Sequence, residues 1–69
     1  MANVLKLKAK IVERDMSIEQ VAKSIGIDTS TMYRKLANNG NSFTVAEATN
    51  IGLLLELNAS EMNDIFFAV

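Results

Sequence analysis

Gly26 separates two short amphipathic segments, and this one break limits the fold more than any other feature of the chain. Ahead of it, Ser17-Ile18-Glu19-Gln20 reads as a capping box, in which the serine hydroxyl accepts from an amide three residues on and the glutamine reaches back. Val21, Ala22 and Ile25 then give that segment one apolar face. Glycine is the residue expected in the left-handed conformation just past a helix. Behind it, Asp28 or Thr29 is placed to cap a second helix that carries Met32 and Leu36 inward.

Two helices meeting through a turn this tight need a small side chain where they cross, and Ala22 supplies it one turn before the glycine. Val21, Ile25, Ile27, Met32 and Leu36 are spaced to lock the angle. The start of the second helix, Thr29-Ser30-Thr31, and then Tyr33 and Arg34 form a polar face. That is the arrangement a DNA major groove requires of a helix-turn-helix. A hairpin that merely folds and binds nothing is the bland alternative, since Ala-x-x-x-Gly also arises by chance.

The remainder of the chain also reads as helix. Helix 1 is expected over about residues 2–14, with Val4, Leu7 and Ile11 inward and Leu5 and Val12 beside them. Lys6, Lys10 and Arg14 recur every four residues on another face, as a phosphate clamp or a solvated stripe. Helix 3 is expected to stop in Asn38-Asn39-Gly40. Thr44-Val45-Ala46-Glu47 is a second capping box opening helix 4, which is expected to run to about Leu57 with Val45, Ala48, Ile51, Leu54 and Leu55 inward. Gly52 inside it costs about 1 kcal/mol against alanine, which suggests a close helix contact. Ser60 is expected to cap a last short helix holding Met62, Ile65, Phe66 and Phe67. Sixty-nine residues without proline or internal repeat make one domain. The expected fold is all-α, a compact orthogonal bundle of about five short helices, with the helix-turn-helix proper over about residues 17–38.

The charge is unevenly placed. All seven basic residues lie at or before Lys35, against four acids through residue 42, a net of +3; four acids and no base follow, a net of −4. The whole-chain pI near 5.2 is below the range above about 9 common in nucleic-acid-binding domains. The segregation nevertheless suggests one face that meets a polyanion.

Other chemistries find little to build on. There is no cysteine and no histidine, so neither a disulfide framework nor an ordinary zinc site is expected. Glu61 and Asp64, on a short amphipathic helix without a nucleophile, do not suggest catalysis. No enzyme, cofactor or small-molecule ligand is expected. No apolar stretch approaches the roughly 18 residues of a membrane span. The lysines near the start alternate with apolar residues, unlike a secretory signal. A soluble cytoplasmic protein is the expectation.

The run Ser17 to Gly40, SIEQVAKSIGIDTSTMYRKLANNG, resembles the helix-turn-helix of phage repressor and Cro-like proteins, the lambda-repressor-like or XRE family. The tail SFTVAEATNIGLLLELNASEMNDIFF resembles the same family, so the likeness covers nearly the whole chain. The resemblance implies a transcriptional regulator, most simply a repressor that occludes a promoter on double-stranded DNA. It implies Thr29, Ser30 and Arg34 at base edges, with Ser17, Tyr33, Lys35, Asn38 and Asn39 at phosphates. It also implies a homodimer on a pseudopalindromic operator, for which Met62, Ile65, Phe66 and Phe67 are candidate contacts; of the two adjacent phenylalanines, one must point outward. Ile18 stands where the family usually has glutamine, which removes a bridge between phosphate and base-reading side chain. Lys35 stands where an apolar residue is usual, so it is expected to turn toward solvent. A second reading treats the acidic, apolar C-terminal half as the surface of a protein-interaction module, such as an antitoxin-like or anti-repressor partner.

Overall fold

The computed structural model of the chain describes residues 3–38 and 43–67. Five α-helices follow in order: α1 Val4–Glu13, α2 Ile18–Ile25, α3 Thr29–Ala37, α4 Val45–Leu54 and α5 Ala59–Met62, the last continuing as a π-helical turn, Asn63–Phe67. Among the described residues every regular element is helical. The molecule measures 26 × 23 × 20 Å along its principal axes.

Helices of about ten residues are marginal alone, so capping and burial must hold them. Both expected capping boxes form. Ser17 Oγ accepts from the Gln20 amide at 3.1 Å while the Ser17 amide donates to Gln20 Oε1 at 2.8 Å. Thr44 and Glu47 do the same at 3.0 and 2.9 Å. A third box opens α5, and it corrects an expectation: the cap is Asn58, paired with Glu61, and Ser60 lies inside the helix.

One core draws on every part of the chain. Leu7 and Ile11 of α1, Val21 and Ala22 of α2, Met32 and Leu36 of α3, Ala48 and Ile51 of α4, then Leu55, Ile65 and Phe66 are buried together. No polar or charged residue is among the buried ones described. Val45 departs from expectation. It sits at the first position of α4 and is 74% exposed, as is Leu53 at 73%. At Gly52 the inference of a close contact holds: a Cβ there would run into the sulfur of Met62.

Three helix ends close in the same way. After α2, Gly26 takes φ 80° and the Ile27 amide donates back to the Ala22 carbonyl at 3.0 Å. After α1, Asp15 takes φ 57° and the Met16 amide reaches the Ile11 carbonyl at 3.1 Å. After α4, Glu56 takes φ 54° and the Leu57 amide reaches the Gly52 carbonyl at 2.9 Å. This closure ends α4 at Leu54, three residues before the expected Leu57, because turning the chain there buries Leu55 and half-buries Leu57.

The basic stripe of α1 is ion-paired within the molecule, with Lys6 and Arg14 still exposed to solvent. Lys6 pairs with Asp64 at 3.0 Å, Lys10 with Glu61, and Arg14 with Glu56 at 3.2 Å. Arg14 Nε also donates to the Leu55 carbonyl at 3.0 Å, satisfying an open carbonyl at the end of α4. The Asn3 amide donates to the Ile65 carbonyl at 2.6 Å. The segregated charges thus join the first helix to the end of α4, to α5 and to the π-helical turn.

Candidate nucleic-acid interface

The α2–α3 unit is built from the inside out. Val21, Ala22 and Met32 are fully buried and Leu36 nearly so, while Ile25 and Ile27 are half-buried at the turn. Ala22 is fully buried, so a larger side chain there would have to displace its neighbours. Gly26 has open space where a Cβ would go, so the demand for glycine there is one of backbone conformation alone. Gly26→Ala is expected to lower stability by about 1–2 kcal/mol, the cost of a left-handed L-residue, measured by urea unfolding. An unchanged midpoint would show that the turn relaxes.

Outward from this frame stand the polar residues at the start of α3. Thr29 and Ser30 are exposed and Thr31 is half-exposed. Asp28 occupies the N-cap position of α3 but its carboxylate makes no capping bond, so the first amides of the helix stay open on this face. Arg34 is exposed, its Nη2 donating to Thr31 Oγ1 at a long 3.4 Å. The weak tether leaves the guanidinium available to a bidentate acceptor. At the start of α2, Ser17 is exposed, with its oxygen accepting in the capping box; the hydroxyl proton is still available to a phosphate oxygen. Ile18 is half-buried against the core and takes no part in this face.

Tyr33 is 46% exposed between the two helices. Desolvation, and then the carboxylate of Glu19 beside it, raise the ionisation of its hydroxyl above the ordinary tyrosine value. It therefore presents a neutral phenol on this face.

Lys35 corrects the sequence reading. It does not turn to solvent. Its ammonium donates to Glu47 Oε1 at 2.9 Å and lies 5.7 Å from the centre of the Phe43 ring. Only 14% of its side chain is exposed. Its phosphate role gives way to a tie between α3 and α4. Leu36, one position later, supplies the buried contact that Lys35 lacks. Asn38 is exposed at the C-cap of α3, and Asn39 lies outside the described residues.

The candidate dimer contacts divide. Ile65 is fully buried and Phe66 is 9% exposed, packed edge-on to Phe43 at 6.0 Å between ring centres. Neither offers a surface to a second molecule. Phe67 is the outward phenylalanine, at 53% exposure, and Met62 is half-buried beside Gly52. Consecutive residues on any helix point in clearly different directions, so one ring goes in and the next goes out.

Four of the seven basic residues, Lys6, Lys10, Arg14 and Lys35, are ion-paired within the molecule. Lys8, Lys23 and Arg34 form no ion pair among the described residues. The acids of the C-terminal half are engaged in turn: Glu47, Glu56, Glu61 and Asp64 each hold a cation. Glu56 and Asp64 stay largely or partly exposed in their pairs, beside the exposed apolar Val45, Leu53 and Phe67 of that half. No family model, no curated protein and no solved structure matches the chain. Among the described residues, no helix is long and apolar enough to cross a membrane.

Proposed function

We propose that this chain is a sequence-specific DNA-binding protein of the helix-turn-helix kind that regulates transcription by occupying a promoter. One observation supports this above all: α2, Gly26 and α3 are locked by Val21, Ala22, Met32 and Leu36, while Thr29, Ser30 and Arg34 face outward with no part in the core. A helix held rigidly from behind, with short polar side chains and an arginine in front, suits a major groove. Thr29 and Ser30 reach base edges and Arg34 reads guanine O6 and N7, a contact worth about 1–3 kcal/mol of discrimination. Ser17 and the neutral phenol of Tyr33 donate to phosphates on either side.

The internal ion pairs set a second expectation. With only Lys8, Lys23 and Arg34 outside them, each copy neutralises few phosphates, and log K falls against log salt with a slope no steeper than about −3. Fluorescence anisotropy of a labelled mixed-sequence duplex, titrated at several salt concentrations, tests the proposal. Binding that weakens with this shallow slope and disappears in Arg34→Glu supports it. A folded protein that leaves the duplex unbound at about 50 mM salt, where phosphate attraction is strong, would overturn it.

A further inference from the structure

The chain has no cysteine, histidine or tryptophan, so its methionine thioethers are the side chains an oxidant attacks first. Their settings differ. Met32 of α3 is fully buried. Met16 is half-buried between α1 and α2. Met1 lies outside the described residues. Met62 is half-buried at the end of α5, and its sulfur lies against Gly52 of α4, on the spot a Cβ would take. A hollow of about 190 Å³, lined by Thr49, Gly52, Leu53, Leu57 and Met62, adjoins this contact. That is room for several molecules the size of water or hydrogen peroxide, at about 30 Å³ each.

We propose that Met62 is a redox-sensitive latch: a peroxide entering the hollow oxidises its thioether to the sulfoxide, which releases the C-terminal segment from α4. A sulfur lone pair attacks one oxygen of hydrogen peroxide. The O–O bond breaks as the S–O bond forms, and the other oxygen leaves as water with both protons. Sulfur is oxidised by two electrons and the peroxide reduced by two. The product no longer suits its place, because a sulfoxide is polar and needs a donor. Toward Gly52 there is no space for an added oxygen. Toward the hollow the hydroxyl of Thr49 already donates to the Val45 carbonyl at 2.8 Å, and the side chains of Leu53 and Leu57 are hydrocarbon. A sulfoxide held there is a polar group without a partner, so the side chain swings out to water. The loss falls on a weak point. Of the four residues of α5, Ala59 and Ser60 are exposed and Glu61 is paired with Lys10, so Met62 is what seats this helix on α4. Behind it the π-helical turn carries Ile65 and Phe66 into the core, and it loosens with the latch.

This inference does not depend on DNA binding, and its test contains no DNA. The protein is treated with about 10 mM hydrogen peroxide, and mass spectrometry of its peptides follows each methionine. Met62 is expected to oxidise about tenfold or more faster than Met32. The melting midpoint is expected to fall by about 5–15 °C, in step with the fraction of sulfoxide at Met62 and not with that at Met16. Methionine sulfoxide reductases of the two epimer classes should together restore it. Met62→Leu, a change that nearly conserves volume, is expected to keep its midpoint through the same treatment, whereas Met16→Leu should lose as much as the parent. Equal oxidation rates at Met62 and Met32, an oxidised parent that melts unchanged, or a fall that follows Met16 sulfoxide would each overturn the proposal. So would a Met62→Leu protein that falls as far as the parent.

Discussion

Ile65→Ala is expected to lower stability by about 2–5 kcal/mol, the cost of emptying a fully packed aliphatic site. Ile65 has no exposed surface, packs in the same cluster as Leu7, Ile11 and Ile51, and lends its carbonyl to the Asn3 amide. A domain of this size has roughly 3–10 kcal/mol in total, so one truncation removes a large share. With about 4–8 °C per kcal/mol for small domains, the melting midpoint should fall by at least about 8 °C. Phe67→Ala, two residues on and half-exposed, should stay within about 0.5 kcal/mol of the parent. Thermal unfolding by circular dichroism separates the two. If Ile65→Ala melted like the parent and instead changed self-association, the residue would be an interface contact after all.

The apolar residues of the last segment show what sequence can and cannot distinguish. That Phe66 and Phe67 must diverge follows from helical geometry alone. Which one turns inward does not, because the segment continues as a π-helical turn and its face is set by Phe43 and Ile65 rather than by an α-helical period. Burial and interface look alike in one dimension: both ask for an apolar residue at helical spacing. Val45 and Leu53 make the same point in reverse. Val45 was expected inward and Leu53 is as apolar as its buried neighbours, yet both stand outside, since Ala48, Ile51 and Leu55 already fill the core.

The helix starts were legible where a short polar side chain stood three residues before a glutamine or glutamate, as at Ser17 and Thr44. Asn58 and Glu61 meet the same rule, but asparagine and serine cap about equally well, so residue type alone does not choose between Asn58 and Ser60. Of the three left-handed helix ends only Gly26 gave a signal. Asp15 and Glu56 adopt the same conformation without a glycine, and Glu56 is steadied there by Arg14, which lies 42 positions earlier in the chain and cannot be linked to it by spacing. The α1 stripe was visible as Lys6, Lys10 and Arg14. Its partners were not, because Asp64 lies 58 residues from Lys6. The exposed residues at the start of α3 were the most readable part of the candidate site, since the frame that aims them, Ala22 and Gly26 above all, is local.

Lys35 was misread for a related reason, and Glu47 provides the strongest test of its corrected role. One oxygen of Glu47 accepts from both the Thr44 amide and the Lys35 ammonium, each at 2.9 Å. Glu47→Ala removes half of a capping box and a charge-assisted bond to a largely buried cation. Together these are worth about 2–3 kcal/mol. Glu47→Gln keeps an acceptor for the amide and loses only the charge, so it should cost about half as much. Lys35→Met puts an apolar side chain of similar length beside Phe43 but leaves the Glu47 carboxylate, 18% exposed, without its counter-ion, so it is expected to destabilise on its own, and combining it with Glu47→Gln is expected to recover part of that loss. The pair also predicts a pH dependence. The bond from the Thr44 backbone, and next the nearby Lys35, hold the Glu47 carboxyl below its ordinary value of 4.5. A carboxylate depressed in the folded state stabilises fully above its unfolded pKa and loses that contribution as pH falls through the folded one. Urea midpoints measured from pH 7 down to about pH 3 should therefore fall more steeply for the parent than for Glu47→Gln, which has no proton to gain. Parallel curves for the two proteins, or a Lys35→Met as stable as the parent, would mean that the tie between α3 and α4 is not held by this charge.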